Sequence, residues 1–407
     1  MTDPAAPRFP TSLGTSDADT ITLLGQNLAT DLMGKVGFGE LALWLVTQQR
    51  PTPAQVRVFE AVLVALADHG FTPTAIAARL TYLSAPDSIQ GALAAGLLGG
   101  GSRFLGVTED AGRFLAEALA GAGQPLPGDD AGWDALALTA VQRARAEGRL
   151  IPGLGHPVHK VTDPRTPALF QIASQEGTFG PHLRQFQAIG RVHPQVLGRT
   201  LPLNGAGTCG AALADLGLPP ELLRGFALLA RAAGLLGGGS RFLGVTEDAG
   251  RFLADTLAEA GQPLPGDGDE AGWDALALAA VRRAREDGRL IPGLGHPVHK
   301  VTDPRTPALF RIAAEEGTFG PHLCLFAAIG RVHPQVLGRT LPLNGAGTCG
   351  AALADLGLPP DLLRGFALLA RAAGLLGQLA EERRHPLGMD MYLTVDRNAV
   401  YVPPGTP

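Results

Sequence analysis

A glycine-rich segment with two histidines carries the residue types best suited to bind an anion. It reads GLGHPVHK at residues 153–160, and Asp163 and Arg165 follow within the same short stretch. Glycines let a backbone approach a ligand closely, histidine can polarise a carbonyl group, and lysine and arginine bind carboxylates or phosphates. The same residues recur from Gly293 to Arg305. The spacing predicts sites for an anion with a polarisable carbonyl, but it also fits a loop whose histidine and arginine only bind neighbouring chain groups.

A second motif, Gly205 to Gly210, matches the GxGxxG pattern of dinucleotide-binding loops. No run of β-branched residues precedes it, and no acidic residue follows at the distance that a βαβ unit requires. We therefore reject an NAD site. Cys209, inside this motif, has no neighbouring base in the sequence and is expected to be a buried, unreactive thiol.

The composition bounds the class of protein. A chain of 407 residues allows two or three domains, and 45% hydrophobic against 17% charged residues predict a folded chain. The net charge of −5 offers no basic excess, so we expect no nucleic-acid partner. Three widely spaced cysteines without a histidine cluster predict no disulfide framework and no metal site. The N-terminus lacks a leader-like segment and the apolar stretches are interrupted, which predicts a cytoplasmic protein with no membrane partner.

The largest feature of the sequence is a tandem repeat. The run GLLGGGSRFLGVTEDAGRFLA starts at Gly96 and again at Gly234, 138 residues later, and the offset becomes 140 after two extra residues near Gly268. A period of this length indicates a duplicated domain-sized piece and not a solenoid. Removing one copy leaves an underlying unit of about 269 residues. We divide the chain into an N-terminal part (1–98), copy one (99–236), copy two (237–376) and a tail (377–407).

Helical patterns dominate the elements that must position the motifs. Thr52 and Gln55 form a capping box ahead of apolar residues at helical spacing, and Pro220 opens another such segment. Thr108 is expected to cap a third helix. Strand-like patterns occur at residues 20–24 and 392–402. The sequence therefore predicts a mainly α protein.

These motifs resemble citrate synthase, and more closely the citryl-CoA lyase module at the C-terminal end of ATP-citrate lyase. The resemblance covers nearly the whole 269-residue unit and rests on the glycine-rich loop with its Asp-Pro-Arg, on Ala67-Asp68-His69 and on Arg384-His385-Pro386. It implies a large helical domain and a small helical domain, with the small-domain region duplicated here, and a homodimer.

The resemblance also implies roles for individual residues. Histidines would contact the substrate hydroxyl or keto oxygen, arginines would bind its carboxylates, and the loop would bind CoA. The catalytic candidates are His69, His156 and His296. The substrate-binding candidates are Arg165, Arg305, Arg231, Arg371 and Arg384. The CoA-binding candidates are Gly153, Gly155, Lys160, Gly293, Gly295 and Lys300.

One departure from the family pattern concerns the chemistry directly. The carboxylate that handles the α-proton of the acyl-CoA in the family is replaced by Ala206 in copy one and by Ala346 in copy two. Asp215 lies too far along the following helix to replace it. A positioned base commonly contributes about 10²- to 10⁴-fold to the rate, so the substrate pocket is better supported than the reaction.

We expect an enzyme that makes or cleaves the C–C bond between acetyl-CoA, or a related acyl-CoA, and oxaloacetate. The CoA thioester would be a substrate, and no tightly bound cofactor is expected. The alternative is a catalytically silent protein that binds a CoA ester or a polycarboxylate. Because His69 and Arg384 occur once, one chain can complete a single site, and we expect copy two to supply it, since Arg371 and Arg384 follow it without interruption.

Overall fold

A small antiparallel sheet and two helices form the start of the described chain. The computed structural model describes residues 9–67, 72–85, 88–235, 244–266 and 268–397. Strands β1 (Gly14–Ser16), β2 (Ile21–Leu23) and β3 (Gln26–Asn27) pair in that order, with Gly14 opposite Leu23 and Thr22 opposite Asn27. A five-residue π-helical turn (Leu28–Leu32) leads to α1 (Phe38–Thr47) and α2 (Pro53–Ala67). The strand predicted at residues 20–24 is confirmed.

Helix α2 begins at the capping box that the sequence predicts. The Thr52 amide donates to Gln55 Oε1 at 2.9 Å, and the Gln55 amide donates to Thr52 Oγ1 at 3.3 Å. These two bonds satisfy backbone donors that the first turn of a helix leaves unpaired. The apolar stripe of α2, formed by Phe59, Val62 and Leu66, is buried.

The rest of the chain is helical, and each copy of the repeat contributes the same set of helices. Helices α3 (Pro73–Ser84) and α4 (Ile89–Leu105) pack on each other and lead into copy one. Copy one continues with α5 (Val107–Ala120), α6 (Asp130–Ala146), α7 (Arg165–Gln175), α8 (Pro181–Leu197), α9 (Gly205–Asp215) and α10 (Leu223–Leu235). Copy two contains α11 (Gly244–Ala260), α12 (Glu270–Glu286), α13 (Arg305–Glu315), α14 (Pro321–Leu337), α15 (Gly345–Asp355) and α16 (Pro360–Arg384), and α17 (Gly388–Arg397) follows. The prediction of a mainly α fold is confirmed.

Equivalent helices pack alike in the two copies. Helix α6 packs on α8 and α5 on α9 in copy one, as α12 packs on α14 and α11 on α15 in copy two. Each copy has its own apolar core, and the equivalent phenylalanines Phe186 and Phe326 are buried in these two cores. Only the core of copy one also includes the buried residues of α1 and α2, so the N-terminal part completes copy one.

The position of α2 corrects one prediction. Helix α2 packs against α7, α9 and α10 of copy one, and the Phe59 ring meets the Phe226 ring edge-on at 5.2 Å between centroids. Helix α2 therefore packs on copy one and not on copy two, contrary to the expectation drawn from the uninterrupted path between copy two and Arg384. The β1–β2 turn and α1 do reach copy two, because His299 Nδ1 bonds to the Ala18 carbonyl at 2.9 Å and α1 packs on α16.

Three smaller predictions have different outcomes. Pro220 starts a 3₁₀ turn that continues into α10, and Pro360 starts α16, as predicted. Thr108 does not cap a helix, because α5 already begins at Val107 and Thr108 is buried inside it. Residues 392–397 are helical and not a strand, whereas residues 398–402 lie outside the described residues. Glu382 accepts from the Leu387 and Gly388 amides at 2.9 Å each, and this cap starts α17 despite the β-prone residues that follow.

Helix α16, with 25 residues, is long and apolar enough to cross a membrane by length and composition, because an 18-residue window within it has a mean hydropathy of 1.3. It is the one helix among the described residues that meets this test. It packs against α1 and α11, and Glu381 near its end accepts bonds from Ser12 and Thr11. Part of the apolar surface of α16 therefore packs against other helices of the fold.

One core position differs between the copies in a way that affects stability. Gln185 is fully buried in α8, and neither its Oε1 nor its Nε2 has a hydrogen-bond partner among the described residues. The equivalent residue of copy two is Leu325, also fully buried. A buried polar group without a partner costs about 1–3 kcal/mol.

We predict that Gln185→Leu stabilises the protein by about 1–3 kcal/mol, because it removes the unpaired amide and copy two already accommodates leucine there. Guanidinium unfolding measures the effect. The reverse change, Leu325→Gln, is the matched control and should destabilise. A Gln185→Leu protein with a lower unfolding midpoint would contradict the explanation.

Candidate active site

The glycine-rich loop of copy one is fixed against the start of α9. Gly153 and Gly155 have φ values of 89° and 83°, a region that favours glycine. A Cβ on Gly153 would lie 2.7 Å from the Phe186 ring, so the loop also needs glycine for space. Asn204 caps α9 and holds the loop with two bonds. Its side-chain Nδ2 donates to the Gly155 carbonyl at 2.8 Å, and its backbone N–H donates to the Gly153 carbonyl at 2.8 Å. The loop is thus held in one shape beside a helix N-terminus.

His156 is oriented by the loop itself. Its Nδ1 accepts from the Val158 amide at 3.1 Å and from the His159 amide at 3.0 Å. Because Nδ1 accepts, a neutral ring carries its proton on Nε2. The ring stacks on His159 at 4.5 Å between centroids. His156 lines a pocket, where Nε2–H can donate to a ligand oxygen.

Asp163 and Arg165 form a close ion pair at the start of α7. Arg165 donates from Nη2 and Nε to the two Asp163 oxygens at 2.7 and 3.0 Å, and the Gly205 amide donates to Asp163 at 2.7 Å. Burial by itself raises the pKa of the Asp163 carboxyl, but the bonds and charge of Arg165 and the Gly205 amide outweigh it and lower that pKa to about 2. Asp163 therefore orients Arg165 and is too weak a base to take a proton from carbon.

This ion pair predicts a loss of stability in acid. The pKa of Asp163 is lower in the folded chain than its usual 3.8, so its contribution is complete above pH 3.8 and is lost as the pH falls toward about 2. We expect Asp163→Asn to destabilise by about 2 kcal/mol near neutral pH and by progressively less below about pH 4. Unfolding free energies of both proteins across this pH range measure the difference. A difference that stays constant down to about pH 2 would contradict this origin.

The pocket of copy one has a volume of about 1030 Å³ and lies where α2 and α3 meet the repeat. Leu66 at the end of α2 and Thr74 in α3 line it together with His156, Arg165 and Arg231. Arg231 is only 8% exposed, which strengthens its attraction for an anion because water screens it little. His69 lies outside the described residues, just beyond the end of α2.

Copy two repeats this arrangement in a larger pocket of about 1260 Å³. His296 Nδ1 accepts from the Val298 amide at 3.1 Å, and Arg305 Nη2 bonds to Asp303 at 2.7 Å. Burial, together with nearby positive groups, lowers the pKa of His296 and outweighs the opposing effect of Asp303. Arg371 is exposed, in contrast to the buried Arg231.

The remaining candidates lie in several places. All four loop glycines line the pockets, whereas Lys160 and Lys300 direct their ammonium groups to the carbonyls of His156 and His296. Arg384 contacts neither pocket of its own chain and donates to the Val46 carbonyl at 3.0 Å. Asp215, in agreement with its predicted exclusion from the site, accepts from the Gly180, His182 and Leu183 amides at the start of α8.

Several polar residues line the pockets without having been predicted from the sequence. They lie at helix ends and in loops that are far apart in sequence and meet only in the folded chain. The one signal in the sequence is that each of these residues occurs in both copies. In copy one they are Asp110, Arg145, Arg149, Arg199 and Asn204, and in copy two Asp248, Arg285, Arg289, Arg339 and Asn344.

No carboxylate stands at the start of α9 or α15. Ala206 and Ala346 line the two pockets there. Cys209, three residues further along α9, is fully buried, and burial raises the pKa of its thiol to about 12. It is therefore the unreactive thiol that the sequence predicts.

One cluster has donor atoms close enough for a metal ion. His156, His159 and Asp163 each offer an atom within 4.8 Å of the others. However, both Asp163 oxygens bind Arg165 or the Gly205 amide, and His156 Nδ1 accepts two amides. These donors are already used, and the adjacent guanidinium would repel a cation.

The fold and site define a mainly helical protein in which each repeat has a pocket lined by a histidine, arginines and a glycine-rich loop. The chain belongs to the citrate synthase family: the sequence model of the citrate synthase C-terminal domain matches residues 18–238 and 255–388. The first matched segment spans most of the N-terminal part together with copy one, and the second spans most of copy two and the start of the tail. No curated protein sequence matches the chain.

Several solved structures are similar. Citryl-CoA lyase from Hydrogenobacter thermophilus is 29% identical with a TM-score of 0.50, and the match covers 56% of this chain and 84% of the lyase. ATP citrate lyase of Methanosaeta concilii with (3S)-citryl-CoA is 23% identical with a TM-score of 0.48, over 58% of this chain and 38% of that chain. Citrate synthase from Thermoplasma acidophilum, with carboxymethyl coenzyme A and oxaloacetate, is 15% identical with a TM-score of 0.45. That match covers 99% of this chain and 96% of the synthase chain.

Proposed function

We propose that the chain makes or cleaves the C–C bond between an acyl-CoA, acetyl-CoA by default, and oxaloacetate, and that it does so in the pocket of copy one. The family and the similarity to citryl-CoA lyase support an enzyme of this kind. The observation that carries the assignment to copy one is that Leu66 of α2 and Thr74 of α3 line its pocket, whereas neither helix contributes to the described lining of the pocket of copy two. The pocket of copy one thus brings His156, Arg165 and the buried Arg231 together beside the end of α2.

In this proposal each residue has a role that follows from its geometry. Arg231, shielded from water, would bind a substrate carboxylate, and Arg165, fixed by Asp163, would bind another. His156 would donate from Nε2 to the keto oxygen, which becomes negatively charged as the C–C bond forms. The glycine-rich loop would contact CoA.

Removal of the proton from the acyl carbon requires a base. Among the described lining residues of this pocket, Asp110 is the only carboxylate, and it is exposed. This observation favours a second candidate function, a protein that binds a CoA ester or polycarboxylate without turnover.

A turnover assay separates the two functions. The full chain is incubated with acetyl-CoA and oxaloacetate, or with citryl-CoA, and release of CoA thiol or of oxaloacetate is followed. Arg231→Met should raise KM for oxaloacetate or citryl-CoA by about 100-fold, since it removes a shielded charge partner, whereas the matched Arg371→Met should change it little. Saturable CoA binding with no turnover in either assay would favour the silent binding protein.

We also propose a homodimer. Exposed leucines on α3 and α4, including Leu83 at 78% and Leu98 at 81%, offer an apolar surface. Arg384, which contacts neither pocket of its own chain, would reach a site of the partner subunit. Sedimentation of the wild type and of Leu83→Gln tests the dimer, which the variant should weaken.

A further inference from the structure

The pocket of copy two extends over a helix face that α2 covers in copy one. Leu216 at the end of α9 is 7% exposed, whereas its equivalent Leu356 is 59% exposed. Ala230 is 3% exposed and its equivalent Ala370 is exposed. The sequences of these faces are the same, so the difference arises from packing alone. We name this apolar face of copy two the open face, and its residues are Leu309, Ile312, Leu353, Leu356, Phe366 and Ala370.

The open face and the histidine–arginine site form one continuous cavity. A single volume of about 1260 Å³ is lined by the open face and also by His296, Arg305 and the ends of α12 and α14. In copy one the equivalent apolar residues do not line the pocket, because α2 occupies that space. A cavity with one apolar region and one polar region suits a ligand with the same two parts.

The charge of this cavity has one clear sign. Arginines 285, 289, 305, 339 and 371 line it, and Asp248 is the only acidic residue among its described lining residues. Arg339 and Arg371 have no carboxylate partner in the part of the chain that the structure describes, and both are exposed. These two guanidinium groups are available to an anion.

We propose that the pocket of copy two binds an anionic amphiphile, a molecule with a carboxylate or phosphate head and a linear alkyl tail. The head would lie against Arg339 and Arg371, and the tail on the open face. A second helix α2 is a poorer occupant, because the chain has one α2 for two such faces and that helix already covers copy one. The proposal concerns copy two only and does not depend on the function proposed for copy one.

Two equivalent cysteines provide the measurement. Cys349 lines the cavity of copy two, whereas Cys209 is fully buried under α2. Trypsin releases them in peptides that differ at Glu221 and Asp361, so mass spectrometry separates them. Burial raises the pKa of the Cys349 thiol as well, so the modification is carried out at alkaline pH. A thiol reagent should then modify Cys349, which lines the cavity, in the folded chain and leave Cys209 unmodified. An amphiphile in the cavity should then protect Cys349.

The probes are lauroyl-CoA, laurate, free CoA and the cation dodecyltrimethylammonium, each below its micelle concentration. Lauroyl-CoA should slow modification of Cys349 saturably, and the cation should not. Protection by laurate at similar concentrations would assign the cavity to free fatty acids, and protection by lauroyl-CoA alone would assign it to thioesters. Both results support the proposal, because both ligands are anionic amphiphiles.

Matched variants locate the binding. Leu356→Gln should weaken lauroyl-CoA binding about tenfold without changing the binding of free CoA. Leu379→Gln, at an exposed position of α16 outside the cavity, should have no effect. Arg339→Gln should weaken binding by a similar factor, and its copy-one equivalent Arg199→Gln should not alter protection of Cys349. Equal protection by the cation, or no effect of either copy-two variant, would overturn the proposal. So would stronger, arginine-independent protection by a peptide of residues 52–67, which would assign the face to a helix.

Discussion

Replacing His156 with alanine is expected to reduce turnover by about 100-fold or more, whereas His296→Ala leaves it within about twofold. The two histidines have the same sequence neighbours and the same bonds to Nδ1, so the loop alone cannot distinguish them. The expected difference arises from the N-terminal helices, because Leu66 of α2 and Thr74 of α3 line the pocket of His156, whereas no residue of α2 or α3 is in the described lining of the His296 pocket.

Steady-state assays of both variants with acetyl-CoA and oxaloacetate, and with citryl-CoA, measure this difference. CoA binding by the His156 variant serves as a control that the pocket remains folded. The opposite ranking of the two variants would place catalysis in copy two. Equal, small effects of both would remove histidine-assisted C–C chemistry from the proposal.

The second large effect concerns stability. Phe226→Ala is expected to destabilise the protein by about 3–4 kcal/mol, because Phe226 is fully buried and meets Phe59 of α2 edge-on. The equivalent Phe366→Ala should cost only about 1 kcal/mol, because Phe366 is partly exposed on the open face. Denaturant unfolding of the two variants gives the comparison.

Phe59→Ala is the control for the phenylalanine pair. If Phe226 acts through α2, then Phe59→Ala should be similarly destabilising, and the double variant should lose less than the sum of the two single losses. Equal costs for Phe226→Ala and Phe366→Ala would mean that α2 does not cover copy one preferentially.

The sequence was sufficient for the features that depend on local chemistry. The capping box at Thr52, the start of α16 at Pro360 and the helical class follow from residue types and spacing, and the structure agrees. The tandem repeat predicts two similar loops, and the two loops have matching bonds. Local propensity failed at residues 392–397, where a cap from Glu382 outweighs the strand preference of the side chains.

The sequence could not predict which of the two copies α2 packs on. The docking face for α2 has nearly the same residues in α9 and α15, so composition and periodicity favour neither copy. Because Arg371 and Arg384 are continuous with copy two, the sequence favoured copy two as the partner of the N-terminal helices. For α2 this was wrong, since chain continuity does not determine which surface a separate helix covers. The structure shows instead that α1 packs on α16 of copy two, whereas α2 packs on α7, α9 and α10 of copy one.

The single α2 means that matching residues of the duplicated unit now experience different selection. Selection would remove a polar substitution at Leu216, because that side chain is buried in the core of copy one. The same change at Leu356, which is exposed, would leave the fold nearly as stable. Genetic drift should therefore diversify α15 and α16 before α9 and α10. In relatives that carry the same duplication, apolar residues that persist at positions equivalent to 356 and 370 would require a cause other than folding.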